Sequence, residues 1–204
     1  MIGVTDKLAL IKDLLAFLAV EAEREPGAVK LLAVSKKHPV SMVLAAAKAG
    51  QRDFGENFVQ EGLAKIDQTR GENLIWHFIG HLQANKTRAV AENFDWVHTI
   101  DQLKTARRLS EQRPEALGPL NICLQINVDG EGSKSGISPD ALPDLAASVA
   151  ELPGLTLRGL MCLPIARLDF EAQREPFARL RKMAESLRNH GLVIDTLSMG
   201  MSGD

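Results

Sequence analysis

LLAVSKKHPV, residues 31–40, sets four apolar side chains directly against Ser35-Lys36-Lys37, with His38-Pro39 behind them. A short apolar run bounded by charge and proline reads as a buried strand, and its exit carries lysine. The segments on either side give that strand its meaning. Upstream, Leu8, Ile11, Leu14, Leu15 and Leu18 recur at helical spacing, with Thr5 as the expected N-cap. Downstream, VSMVLAAAKAG predicts a helix that Gly50 ends.

The alternation continues along the chain. DFGEN predicts a strand and its exit, followed by a helix from about Asn57 to Ile66. LIWHFIG (Leu74–Gly80) predicts a third strand, with a helix after Asn85, and WVHTI (Trp96–Ile100) a fourth. Asp101 is the expected cap of the helix in QLKTARRLSEQR. LNICLQIN (Leu120–Asn127) predicts a fifth strand, then a Gly/Ser loop and a helix from Pro139. TLRGLMCL (Thr156–Leu163) predicts a sixth strand, followed by a long helix around Phe170–Asn189, and DTLSMG (Asp195–Gly200) a seventh.

Strands separated by helices throughout mean parallel pairing through crossovers, in a doubly wound open sheet or a TIM-type barrel. Two features favour the α/β barrel. No Gly-rich dinucleotide fingerprint follows the first strand, and polar residues stand at many strand exits: Lys36, Glu56-Asn57, His81, Asp101, Asn127-Asp129 and Ser202. A barrel gathers all its strand exits on one face, whereas an open sheet uses only those beside its switch point. A (β/α)8 barrel needs about eight strands; the pattern holds seven. The expectation is one domain over residues 1–204, with the last strand and its flanking helices missing.

Composition limits the function classes. The 204 residues carry a net charge of -2, so no overall basic field invites nucleic acid or an anionic membrane. Cys123 and Cys162 sit inside apolar runs and read as buried free thiols, which suits a reducing compartment. The start carries Asp6, Lys7, Lys12 and Asp13 and lacks the apolar core of a signal peptide. No apolar run reaches the ~18 residues of a membrane helix. A cytoplasmic location is expected.

Lys36 is the first candidate for chemistry. An amine at the catalytic end of a barrel strand can condense with a carbonyl ligand if burial or a neighbouring cation disfavours its charge, and Lys37 and His38 could supply that neighbour. A solvated lysine is the ordinary alternative. GEGSKSG (Gly130–Gly136) fails as a P-loop because Ser133, not glycine, precedes Lys134. It reads equally as a flexible loop or as an anion contact through backbone N–H groups. His77 and His81 are four apart, but the glutamate of a zinc motif is missing, so a hydrogen-bonded interior His77 is the better reading. SMGMSGD, with Ser198 and Ser202, suits a phosphate cradle or an ordinary turn.

Taken together, AVSKKHP, FGENFVQE, WHFIGHLQANK, VHTID, INVDGEGSKSG, LRGLMCLP and LSMGMS resemble the pyridoxal phosphate homeostasis proteins, from about Leu31 to Ser202. That family is similar to the barrel domain of alanine racemase without its second domain. The resemblance implies that Lys36 carries pyridoxal 5'-phosphate as an aldimine. It also places Asn57 and Met161 beside the cofactor ring and Ser202 at its phosphate. Lys134 matches a lysine of unclear role, and Phe58 stands where tyrosine is usual. The family continues past SMGMS with a helix and a strand that would close the barrel and add phosphate ligands.

The implied function is to carry the cofactor in intracellular vitamin B6 homeostasis, without turnover. Pyridoxal-dependent apo-enzymes are the expected recipients, and the protein is expected to be a monomer or weak dimer. The alternative is a pyridoxal-dependent amino-acid racemase. The racemase mechanism needs a tyrosine as second base, and these 204 residues contain none. A phosphosugar barrel enzyme is a third reading, which leaves the match at Lys36 without explanation.

Overall fold

The computed structural model describes residues 3–130 and 135–201. They fall into two compact units, Met1–His77 and Phe78–Asp204. The first unit contains α1 (Val4–Glu21), β1 (Ala33–Val34), α2 (Val40–Lys48), β2 (Asp53–Glu56), α3 (Val59–Gln68) and the start of β3 (Ile75–Phe78). β1 and β2 are parallel, with Ala33 opposite Phe54 and Val34 opposite Gly55.

Three details of this unit differ from the sequence expectation. Thr5 lies inside α1 rather than capping it: the Gly3 N–H donates to Asp6 Oδ2 at 3.3 Å, so the acid at the third helical position serves the terminus. Of the five apolar residues at helical spacing, Leu8 is buried and Leu15 half-buried, while Ile11, Leu14 and Leu18 are exposed, because α1 meets α2 through a narrow face. The expected buried strand at 31–34 pairs over two residues only, and Val34 remains 44% exposed. β1 is the terminal strand of its order, so only one of its edges is paired among the described residues.

The second unit contains α4 (Thr87–Asn93), β4 (Trp96–Ile100), α5 (Leu103–Gln112), β5 (Leu120–Gln125), α6 (Leu142–Ala150), β6 (Leu155–Met161), α7 (Phe170–Asn189) and β7 (Thr196–Ser198). These four strands are parallel and lie in chain order. Val97, Ile100, Ile122, Leu124 and Leu160 are buried in the strands, and Leu109, Ala146 and Leu180 are buried on α5, α6 and α7. Each large aliphatic side chain so buried contributes ~1.5–3 kcal/mol. In α7, Pro176, Leu180, Ala184 and Leu187 recur at intervals of three and four and form its buried face. The helix predicted from Pro139 opens as a 3-10 turn (Pro139–Ala141) before α6.

Asp101 does not cap α5. Its carboxylate accepts the Gly136 N–H at 3.3 Å, and the residue at the N-cap position is Gln102. Gly136 has φ +116, a conformation that favours glycine, and a Cβ there would sit 2.7 Å from the Asn127 nitrogen. The loop closing β5 is thus tied back by a side chain that the sequence assigned to a helix.

Candidate functional site

Lys36 follows β1 in a turn, with its side chain exposed. The ladder continues one residue past the named strand, since the Ser35 N–H donates to Gly55 O at 3.0 Å. Lys36 thus follows β1 and Asn57 follows β2, so the two stand at the exits of paired parallel strands. The sequence put both at strand exits, and the first unit holds them at neighbouring exits. Asn57 Oδ1 is buried and has no hydrogen-bond partner among the described residues. Buried polar atoms are nearly always paired, so such an atom, at the exit next to the one that bears an exposed amine, is what a ligand with a hydrogen-bonding group would satisfy. These residues fit an aldehyde-bearing, polar cofactor.

Glu56 behaves differently from its expectation as a polar group at a strand exit. It is wholly buried, and Oε1 accepts Ser35 Oγ at 2.6 Å and Lys65 Nζ at 2.6 Å. Strand alternation sends its side chain toward α3, away from the face that Gly55 and Asn57 share. Lys65 also reaches Glu61 Oε1 at 2.8 Å and Ser35 O at 2.6 Å. The Lys65 hydrogen bond holds the Glu61 carboxyl below its ordinary value, helped by the Lys37 N–H and opposed by burial. Sequence reasoning missed this cluster. The only local signal was Glu61 and Lys65 four apart on one helix, a common surface spacing.

His77 is buried, with Nε2 3.0 Å from Asp53 Oδ1, as the interior reading expected. That hydrogen bond holds the Asp53 carboxyl below its ordinary value, against the opposing effect of burial. Among the described residues no group of three His, Cys, Asp or Glu side chains could hold a metal ion. A cavity of about 360 Å³ in this unit is lined by Lys12, Lys30 and Arg52 among others. It opens beside Leu31 and Asp53, the residues that lead into β1 and β2, so it lies at the end of those strands opposite Lys36.

In the second unit, Met161 is the last residue of β6, buried, and registered between Gln125 and Ser198. Ser198 Oγ lies 2.7 Å from His98 Nδ1. A cavity of about 280 Å³ opens at these strand ends, lined by Gln125, Ser135, Leu163, Pro164 and Met201. Asp129 has a structural task. It accepts the Ile165 N–H at 2.7 Å and Arg167 Nη2 at 2.7 Å, fixing the segment after β6. Ser202 and Lys134 lie outside the described residues. Cys123 and Cys162 are buried, and burial pushes the Cys123 thiol up to about 12.

Comparison with known proteins gives this geometry a family. The family described as alanine racemase, N-terminal domain, matches residues 17–204. A pyridoxal phosphate homeostasis protein of Pseudomonas aeruginosa is 51% identical over 204 residues, covering all of this chain and 87% of that relative. The structure of PipY of Synechococcus elongatus PCC7942 with PLP bound superposes with a TM-score of 0.80 at 36% identity, over 92% of this chain and 88% of that one. Alanine racemase from Corynebacterium glutamicum, at 17% identity and a TM-score of 0.66, shares the fold over 95% of this chain and 52% of its own. The curated relatives are named as homeostasis proteins rather than as enzymes. The fold is therefore the α/β TIM-type barrel of that domain, represented among the described residues by seven strands, and the chain belongs to the pyridoxal phosphate homeostasis protein family.

Proposed function

We propose that this chain binds pyridoxal 5'-phosphate through Lys36 and carries it in cytoplasmic vitamin B6 homeostasis, without turning over an amino acid. The observation that carries the reading is Lys36 at the exit of β1, the strand paired with β2, whose following residue Asn57 has a buried Oδ1 without a partner among the described residues. The bound PLP in the PipY structure and the name shared by the relatives support it. The cofactor would supply an aldehyde and an electron-withdrawing ring; the protein supplies binding and orientation. Lys36 would hold the group through its side-chain amine, for which the group would supply a carbonyl carbon. Asn57 and Met161 hold the ring, and Ser202 holds the phosphate. Pyridoxal-dependent apo-enzymes are the recipients, and the carrier works as a monomer or weak dimer. The absence of tyrosine from the 204 residues favours a carrier over a racemase.

Borohydride reduction of the cofactor-loaded protein followed by peptide mapping tests the assignment. The label is expected on Lys36 within LLAVSKK, and lost in Lys36→Ala with the fold retained. Lys36→Arg should lose it too, because a guanidinium stays protonated and does not condense. A label recovered mainly on Lys37 or Lys134 refutes the assignment. A protein-dependent turnover of an amino acid that disappears in Lys36→Ala refutes the carrier.

A further inference from the structure

We infer that the buried ion cluster of Lys65, Glu61 and Glu56 aims Lys36, with Lys65 and Glu61 acting as positioning residues for the cofactor-bearing lysine. The inference rests on the proposed role of Lys36 and extends it to side chains that never touch the cofactor.

Peptide groups on both sides of Lys36 are held by this cluster. On one side, Ser35 O accepts Lys65 Nζ at 2.6 Å, and Ser35 Oγ donates to Glu56 Oε1 at 2.6 Å. On the other, the Lys37 N–H donates to Glu61 Oε1 at 2.5 Å. An ammonium has three donors, and Lys65 directs them to Ser35 O, Glu56 Oε1 and Glu61 Oε1. Lys65 is only 5% exposed and Glu56 is fully buried.

Charges in such a place are a poor source of stability, because desolvation opposes their attraction. Their hydrogen bonds instead fix one conformation of the turn. Lys37 shows what is being fixed, since its φ is +63, in the left-handed region that a lysine avoids. A strained residue persists only where its surroundings over-determine it, and such residues cluster at ligand clamps. If the Glu61 acceptor is lost, Lys37 can relax to negative φ. The Lys36–Lys37 peptide then rotates and changes the direction in which the Lys36 side chain leaves the turn. Glu56 Oε2, buried without a partner among the described residues, fits the same view, for an arrangement serving only stability would pair or remove it.

Glu61 is the residue to change, because its side chain is 28% exposed and it takes no part in the contacts among Lys65, Glu56 and Ser35. Two quantities are measured in the parent protein, Glu61→Ala and Glu61→Gln. One is hydrogen exchange at the Lys37 amide in cofactor-free protein. The other is borohydride-fixed label on Lys36 at sub-saturating pyridoxal phosphate. Glu61→Ala is expected to speed Lys37 exchange at least tenfold and to cut Lys36 labelling about tenfold, with a cooperative melt retained. Glu61→Gln keeps an acceptor oxygen and is expected to stay within about twofold of the parent in both. If Glu61→Ala does not fold, Glu61→Met, which keeps bulk but lacks an oxygen acceptor, replaces it in the same comparison. Parent-like labelling without the acceptor overturns the positioning role, and so does lost labelling with unchanged Lys37 exchange. An unlabelled Lys36 in the parent is a different result, which overturns the proposed function and the aiming role with it.

Discussion

Gly159, in the middle of β6, lies so close to β7 that even one methyl group cannot be placed there. A Cβ would stand 1.8 Å from Thr196 O and 2.6 Å from its carbonyl carbon, where real Cβ atoms essentially never approach within 3.0 Å. The obstacle is backbone, so Gly159→Ala must part the two strands by about 1.2 Å. Gly159 is the residue registered with Thr196, and the adjoining pairs Leu160–Leu197 and Met161–Ser198 share the strain. Overpacking of this kind costs ~1–3 kcal/mol, and weakening one or two ladder hydrogen bonds adds about 1 kcal/mol. A loss of about 3 kcal/mol corresponds to a fall in Tm of roughly 6–12 °C for a chain of this size. Gly71→Ala is the control. Gly71 has φ +93 but open space around its would-be Cβ, so only backbone strain applies, at ~1 kcal/mol or a few degrees. Thermal melts followed by circular dichroism check both. A Gly159→Ala protein that melts within about 2 °C of the parent, or above the Gly71→Ala protein, refutes the reasoning.

The Asp53–His77 contact makes a prediction about acid. Asp53 has a depressed folded-state pKa, so its contribution is present above the unfolded carboxyl value of about 3.9 and is lost as pH falls through the lower folded value. Asp53→Asn is therefore expected to lose about 1 kcal/mol near pH 7 and to show a flatter decline in urea stability between about pH 5 and pH 2. An acid limb as steep as the parent's refutes this. The thiols give a second expectation. Cys123, pushed up to about 12 by burial, and buried Cys162 are expected to resist a chromogenic disulfide reagent in native protein. Both should react once the chain is unfolded in denaturant, and fast labelling of either in the native state contradicts their placement.

What the sequence determined by itself is what repeats along the chain. WVHTI became β4 over the same residues, Trp96–Ile100, and the long amphipathic stretch became α7 over Phe170–Asn189. Strand–helix alternation gave parallel pairing, and the position of Lys36 after an apolar run gave the exit where its amine stands. These features depend on periods of two and 3.6 residues, which apolar side chains write directly into the chain. The errors share a cause. Asp101 was assigned to the nearest helix start, but its carboxylate found the Gly136 N–H thirty-five residues later. Glu56 was placed at the mouth as a charged residue, whereas the pleat turned it toward Lys65 and Ser35 and buried it. A short polar side chain takes whichever partner the fold brings within about 3 Å, and hydropathy carries no record of which that will be. Only the tertiary structure set an ion cluster behind Lys36, because its members, Ser35, Glu56, Glu61 and Lys65, come from a turn, a strand and a helix that meet after the sheet and its helices have packed.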